Sequence, residues 1–296
     1  MKTIFVITLA VALTLAVCPL HAVTYTFSVF AGSPDLSGTT DGTGTAARFS
    51  SPNALVSDSS GNLYVSGLGT TTLRKITPAG VVTTVADFSG SSRYPGIVSL
   101  AVDSAGNLYL GDAGNYIIRK LTPAGILSTF AGSGTYGSLD GSATVAQFTS
   151  PNALACDSAG NVFVAETFSI RKITPAGDVS TLAGSANSSG AAAATDATGP
   201  AARFNGISGL TIDRADNLYA ADKLNHSIRK ISSAGVVTTF AGRAGYAGSA
   251  DGTGADAHFF LPGSLGIDAA GNIFVADTGY HTLRQITPAG VVTTIA

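Results

Sequence analysis

Apolar residues along this chain come in short bursts closed at both ends by Gly, Asp, Asn, Ser or Pro. Leu100-Ala101-Val102, Leu108-Tyr109-Leu110, Ile118-Arg119-Lys120-Leu121 and Val236-Val237-Thr238-Thr239-Phe240 are typical. Such segments, rich in β-branched and aromatic residues and bounded by turn formers, predict β-strands. No long helix is expected.

The bursts recur in a fixed order. Asp58-Ser-Ser-Gly-Asn62 returns as Asp103-Ser-Ala-Gly-Asn107, Asp157-Ser-Ala-Gly-Asn161, Asp213-Arg-Ala-Asp-Asn217 and Asp268-Ala-Ala-Gly-Asn272, with the Asn positions 45, 54, 56 and 55 residues apart. In each unit one strand (a) precedes the Asp and a second (b) follows the Asn. An Arg-bearing strand (c), a turn such as Thr77-Pro78-Ala79-Gly80, and a closing strand (d) complete it. The Asp carboxylate can bond its own backbone ahead while Gly takes a positive φ, which suits a tight a–b hairpin. Asp216 stands where the other units have Gly, and Asp tolerates the left-handed region better than most residues. Pro and Gly serve the c–d turn in the same way. Four antiparallel strands repeated radially predict an all-β fold, a β-propeller of four-stranded blades. The repeats fall at about 30–86, 87–130, 131–182, 183–240 and 241–296.

The strand count leaves a remainder. Val23–Phe30 followed by Ala31-Gly32 matches Val236–Phe240 followed by Ala241-Gly242, giving six d-type strands against five a–b–c sets. Five blades with a surplus strand, or a six-bladed ring without its last a–b–c set, both accommodate it.

Asn107-Leu-Tyr-Leu-Gly-Asp112 with Arg119, and Asn272-Ile-Phe-Val-Ala-Asp277 with Arg284, resemble the NHL repeat. The resemblance extends over nearly all of residues 23–296. It implies an NHL-type propeller, usually six-bladed, in a family that includes binding scaffolds and a few enzymes; fold alone does not choose between them.

Composition agrees with the strand pattern. The chain is 45% hydrophobic, which excludes disorder, and only 11% charged, with 36 Gly. Glu166 is the sole glutamate. A formal charge of -2 offers no basic field for phosphate backbones, so nucleic acid is not an expected partner.

The first residues read as a targeting signal. Lys2, the apolar run Ile4–Cys18 and the small residue Ala22 predict a signal peptide over residues 1–22, cut after Ala22. A lipoprotein cut before Cys18 is disfavoured by Val17, where a small residue is expected. The expected location is secreted, periplasmic or cell-envelope, with no transmembrane span after signal removal. Cys156 then remains as the only cysteine, which precludes an intramolecular disulfide.

In such a blade the a–b and c–d turns share one face, while b–c loops and d–a crossovers share the other. The turns repeat almost letter for letter and read as structural. The loops diverge, so any site is expected among them. Strand b ends in Gly67, Asp112, Glu166, Asp222 and Asp277. Three residues before each strand-c Arg stand Thr71, Tyr116, Phe168, His226 and His281. Ahead of strand a stand Arg48, Arg93, Gln147, Arg203 and His258, each followed by an aromatic (Phe49, Tyr94, Phe148, Phe204, Phe259).

Because the acidic series repeats with the blade, Asp112, Glu166, Asp222 and Asp277 are read as serving the blade, accepting loop N–H groups or pairing with the strand-c Arg. The competing reading is an acidic rim for a cation. His226 and His281 occupy equivalent places in neighbouring blades, with His258 between them. A metal needs ligands converging at about 2–2.5 Å, so a surface role is favoured and no metal site is expected. The aromatics read as wedges between blades, each covered by the stem of the Arg beside it.

Asp41-Gly-Thr-Gly44, Asp140-Gly141, Asp196-Ala-Thr-Gly199 and Asp251-Gly-Thr-Gly254 mark the crossovers. They read as Asx turns, with Ca²⁺ binding by Asp and backbone carbonyls as the competing reading; no cofactor is expected. Cys156 aligns with Val102, Ile212 and Ile267 and reads as a small hydrophobe. No nucleophile elbow appears, so no catalytic residue is assigned.

The expected function is a non-catalytic exported scaffold that binds a protein or cell-envelope glycan through the loop face bearing Tyr116, Phe168, His226 and His281. The alternative is a propeller-type lyase or lactone hydrolase with a metal near the axis, as the family resemblance allows. With no Trp, sugar stacking would fall to Tyr116, Tyr136, Tyr246 and Tyr280.

N-terminal sequencing of the protein recovered outside the cytoplasm should begin at Val23. A lipid-modified Cys18 would overturn this.

Overall fold

The structure is a computed structural model that describes residues 28–67, 69–89, 96–186 and 194–296. The signal peptide, residues 23–27 of the N-terminal d-like segment, and Arg93 with Tyr94 lie outside the described residues.

Each repeat folds into one antiparallel sheet with its strands in chain order. In blade 1, strands a to d are Pro52–Ser57, Leu63–Gly67, Thr72–Ile76 and Val81–Asp87. In blade 2 they are Ile97–Val102, Leu108–Asp112, Ile117–Leu121 and Leu127–Ala131. Blade 3 has Ala153–Cys156, Val162–Ala165, Ser169–Ile173 and Val179–Gly184. Blade 4 has Ile207–Ile212, Leu218–Asp222, Ser227–Ile231 and Val236–Gly242. Blade 5 has Pro262–Ile267, Ile273–Asp277, Thr282–Ile286 and Val291–Thr294. The molecule is a five-bladed β-propeller.

The hairpin turns work as their residues dictate. Asp58 Oδ1 accepts the N–H groups of Ser60 and Asn62, both at 2.9 Å, and Oδ2 accepts the Asn62 amide. Gly61 has φ 78° and Asp216 in the fourth unit has φ 60°. Asp216 also reaches the neighbouring turn: its carboxylate accepts the Ser158 N–H at 3.0 Å and the Ser158 hydroxyl at 2.6 Å, clasping blades 3 and 4.

Strand a is innermost, and inner strands of consecutive blades pack against one another from blade 1 to blade 5. Small residues such as Ala101, Ala155 and Thr211 let them approach. The crossovers add what the repeat pattern did not foretell. Gly42–Thr43, Ala197–Thr198 and Gly252–Thr253 pair with strand d of blades 1, 4 and 5 as a short fifth strand. They cover an outer edge that would otherwise expose unpaired backbone groups.

Every strand alternates its side chains between two seams. One face of blade 2 (Leu100, Leu108, Leu110, Leu121) packs on Leu73 and Phe88 of blade 1, and the other (Ala101, Tyr109, Ile118) packs on blade 3. Four seams are filled this way. The fifth is different. Leu55 of blade 1 is 62% exposed, while its counterparts Leu100, Leu154 and Leu210 are 7%, 5% and 7% exposed. Leu283 of blade 5 is half-buried, while Leu73, Ile118, Ile170 and Ile228 are fully buried.

Replacing Leu100, Leu154 or Leu210 by Ala should cost about 2–5 kcal/mol of stability in urea unfolding. Leu55→Ala should cost less than about 0.5 kcal/mol. Equal losses at all four positions would contradict the open seam.

Candidate functional site

The b–c loops and crossovers meet on one face, joined by backbone bonds. Gly206 N–H donates to the Thr167 carbonyl (2.9 Å), Ala113 N–H to that of Gly96 (2.9 Å), and Gly245 N–H to that of Asn225 (3.3 Å). This is the face to which the variable residues were assigned.

Beneath it lies a repeated ionic cluster. Arg229 Nη1 donates to the Arg203 carbonyl at 3.0 Å and to Asp222 at 2.9 Å, while Nη2 donates to the Thr195 carbonyl at 3.1 Å and to Asp196 at 2.6 Å. Arg284 makes the same four bonds to His258, Asp277, Ala250 and Asp251. Arg171 does so with Gln147, Glu166, Leu139 and Asp140. Arg74 has the crossover half alone, because strand b of blade 1 ends in Gly67. Each of these guanidinium groups lies 5.1 to 5.5 Å from the ring centroid of Phe49, Phe148, Phe204 or Phe259.

The four strand-b carboxylates are inaccessible to solvent, with Asp112, Glu166, Asp222 and Asp277 all at 0% exposure. Each accepts a crossover N–H: from Gly96, Thr149, Asn205 and Phe260 respectively. Burial outweighs these donors at Asp222 and Asp277 and pushes both carboxyls above the usual range.

The crossover aspartates were missed as partners of the Arg. Asp41, Asp140, Asp196 and Asp251 each bind the strand-c guanidinium and also accept the N–H and hydroxyl of a strand-d Thr. The signal was present in the spacing: Asp41, Asp196 and Asp251 precede their Arg by 33 residues and their Thr by 43. Their oxygens are thus occupied by protein donors rather than by Asx-turn N–H groups. Burial pulls Asp41, Asp196 and Asp251 upward, but the Thr and Arg donors together hold them below the ordinary carboxylate range. Among the described residues no three His, Cys, Asp or Glu side chains gather as a metal site.

The residue beside each wedge also differs from expectation. The guanidinium groups of Arg48 and Arg203 turn to the backbone rather than to the neighbouring ring. They donate to carbonyls of their own crossover turn: Thr45 and Ala47 for Arg48, Pro200 and Ala202 for Arg203. The guanidinium over each ring is that of the strand-c Arg. Cys156 is half-buried in the second seam, and burial pushes its thiol up to about 12.

The divergent position before strand c carries an unusual backbone. Tyr116, His226 and His281 have φ of 57°, 55° and 57°. Left-handed conformation in a non-glycine residue costs on the order of 1–2 kcal/mol. Tyr116 is half-buried with its ring edge-on to exposed Tyr136, centroids 5.4 Å apart. The His226 ring lies 5.5 Å from Phe260, which lies 5.4 Å from exposed Tyr280. His226 Nδ1 accepts the Leu261 N–H at 3.3 Å. Phe168 is half-buried and His281 is exposed. The structure therefore brings His226 together with Phe260 and Tyr280, and Tyr116 with Tyr136.

No family model and no curated protein matches the chain. Among solved structures, the chain is similar to an auxiliary nutrient binding protein from Bacteroides thetaiotaomicron. That match has TM-score 0.64 and 15% identity, covering 86% of this chain and 61% of that one. A second Bacteroides thetaiotaomicron protein, of unknown function, matches with TM-score 0.55 and 20% identity over 90% of this chain and 75% of its own. Virginiamycin B lyase from Staphylococcus aureus matches with TM-score 0.54 and 14% identity over 83% of this chain and 84% of its own. The chain thus spans about three fifths of the nutrient binding protein's length. At these identities the likeness is one of fold. No helix among the described residues is long and apolar enough to cross a membrane.

Arg229→Met should destabilise the protein by about 3–5 kcal/mol, because it strands the Asp222 carboxylate in the interior. Asp196→Asn, on the exposed side of the same cluster, should cost less. The reverse order in chemical denaturation would show that the crossover contact dominates.

Proposed function

We propose that the protein is an exported propeller of NHL type that binds its ligand on the b–c loop and crossover face, without catalysis. The contact residues are Tyr116, Phe168, His226 and His281, extended by Tyr136, Phe260 and Tyr280. The ligand class is a cell-envelope glycan or protein. Tyrosine rings pack well against a saccharide, and the solved structures of similar fold include auxiliary nutrient binding proteins.

The observation that carries this reading is the backbone of Tyr116, His226 and His281. Glycine would hold the left-handed loop end at lower cost, yet three blades place a ring there. Strain kept at a surface position points to a use for the side chain. Catalysis through the acidic series is a poorer account, because Asp112, Glu166, Asp222 and Asp277 are buried and already bonded to protein donors.

His281→Gly should raise stability by about 1 kcal/mol, since it relieves the left-handed strain at an exposed site. The Tyr116→Ala, Phe168→Ala, His281→Ala variant should stay folded and lose retention on an immobilised panel of cell-envelope polysaccharides and envelope proteins. Unchanged retention would refute the assignment of this face. A triple variant that unfolds would mean that the rings are packing residues.

A further inference from the structure

Blade 1 keeps the donors of the ionic cluster but not the inner carboxylate that they serve elsewhere. In blades 2 to 5, strand b ends in a buried carboxylate on which donors converge. The strand-c Arg is the first, as Arg229 is to Asp222 at 2.9 Å and Arg119 to Asp112 at 2.7 Å. A crossover N–H is the second, supplied in blades 3 to 5 by the residue directly after the wedge phenylalanine: Thr149, Asn205 and Phe260. In blades 2 to 4 the b–c loop adds a third. Asn115 and Asn225, each three residues beyond the carboxylate, donate to it at 2.9 Å, and the Ser169 hydroxyl donates to Glu166 at 3.2 Å.

In blade 1 the same places are held by Arg74, by Ser50 directly after Phe49, and by Thr70 three residues beyond Gly67. Arg74 is 3% exposed. Its Nη1 donates to the Arg48 carbonyl, and its Nη2 to the Thr40 carbonyl and to Asp41 on the half-exposed outer side. Among the described residues its Nε, the atom through which Arg119 reaches Asp112, has no partner. Nε is also unpartnered in Arg229 and Arg284, but there Nη1 already meets the strand-b carboxylate. Beside Arg74 lies a cavity of about 10 Å³, lined by Phe49, Ser50, Gly67, Thr70 and Thr72 among others. That is room for a single water-sized group. A Cβ at Gly67 would run into the Ser50 carbonyl and the Thr70 side chain, so this backbone admits no carboxylate of its own there. The Thr70 hydroxyl donates to the Gly67 carbonyl at 3.1 Å, and rotation about its C–O bond turns the proton elsewhere.

We infer that blade 1 binds a monatomic monovalent anion, chloride, in this cavity, in the place that a strand-b carboxylate oxygen takes in the other four blades. The guanidinium keeps its charge at any physiological pH, and holding it out of water is costly unless an anion answers it. Arg171, Arg229 and Arg284 each meet two carboxylates, whereas Arg74 meets Asp41 alone. One chloride gives blade 1 the same balance, held by charge-assisted bonds. Sulfate and carboxylates are too large for a space that takes one water-sized group. Water fits the space and leaves the charge unanswered, which makes it the competing occupant.

Crystals soaked in sodium bromide should show anomalous bromide density in the cavity, within hydrogen-bonding reach of Arg74 and of Ser50 or Thr70. In solution, the protein should broaden the NMR line of chloride at an ionic strength held with gluconate, and added bromide should remove that broadening by competition. Gly67→Asp supplies a carboxylate as Asp222 does in blade 4, and the broadening should be lost as the crossover shifts off the new side chain. The crystallographic measurement needs no substitution and decides the matter if this variant fails to fold. Water density in the cavity at saturating bromide would overturn the inference. So would an adventitious ion only, bound at exposed cations such as Arg243. Chloride broadening that survives in folded Gly67→Asp would place the ion elsewhere and overturn it as well.

Discussion

The buried guanidinium on strand c is the interaction on which each blade depends. A crossover of irregular backbone leaves carbonyls beneath the loop face, and each needs a donor once water is excluded. Only Arg carries enough donors in a rigid fork to serve two carbonyls and two carboxylates from one side chain. Its flat face then covers the Phe ring that seals the seam, as Arg229 does over Phe204 at 5.2 Å. Removing two or three charges from water is costly. The cluster is tolerated because nearly every donor and acceptor in it is used; the exceptions are the Nε atoms of Arg74, Arg229 and Arg284.

Blade 2 shows the cluster without a crossover aspartate. The crossover ahead of it has no Asp-Gly motif, and Arg119 turns its Nε to Asp112 at 2.7 Å. Its side chain is 15% exposed, against 3% or less for the other four. Among the described residues Asp112 is the anion that holds this Arg, and in the other blades the crossover Asp adds a connection to strand d. Blade 1 is the complement, with Gly67 in place of the carboxylate and Asp41 alone as the anion. The two partners are separable, and the guanidinium is common to every blade.

Much of this was legible in the letters. Asp58-x-x-Gly-Asn62 and Thr77-Pro-Ala-Gly80 act locally, so their conformations follow from the residues themselves. Assigning Asp112, Glu166, Asp222 and Asp277 to the blade rested on a simple argument, that a residue recurring with the fold serves the fold; each of them accepts a crossover N–H and pairs with its strand-c Arg. The role of Asp196 was harder to see because its partners, Arg229 and Thr239, lie far along the chain, although the constant offset encoded it. The left-handed φ of Tyr116 and His281 was not legible at all. Neither residue favours that region, and only the geometry of the loop imposes it. The guanidinium over Phe49, that of Arg74, comes from a strand 25 residues on, a partner that the adjacent pair Arg48-Phe49 did not point to.

The two faces of the propeller divide along the same line. Turns that repeat are fixed by bonds each residue makes within four positions of itself, as with Asp103 and Asn107. Loops that diverge rest on the buried cluster, so their rings can change from Tyr116 to Phe168 to His226 without disturbing the blade below. That arrangement separates stability from the choice of residue at the loop surface. The open seam does not share this freedom. Leu55, on the inner edge strand of blade 1, and Leu283, on strand c of blade 5, are apolar positions that this seam leaves less covered than their counterparts in the other seams. Burying a leucine contributes roughly 1.5–3 kcal/mol, so this seam contributes less to stability than the four that are filled.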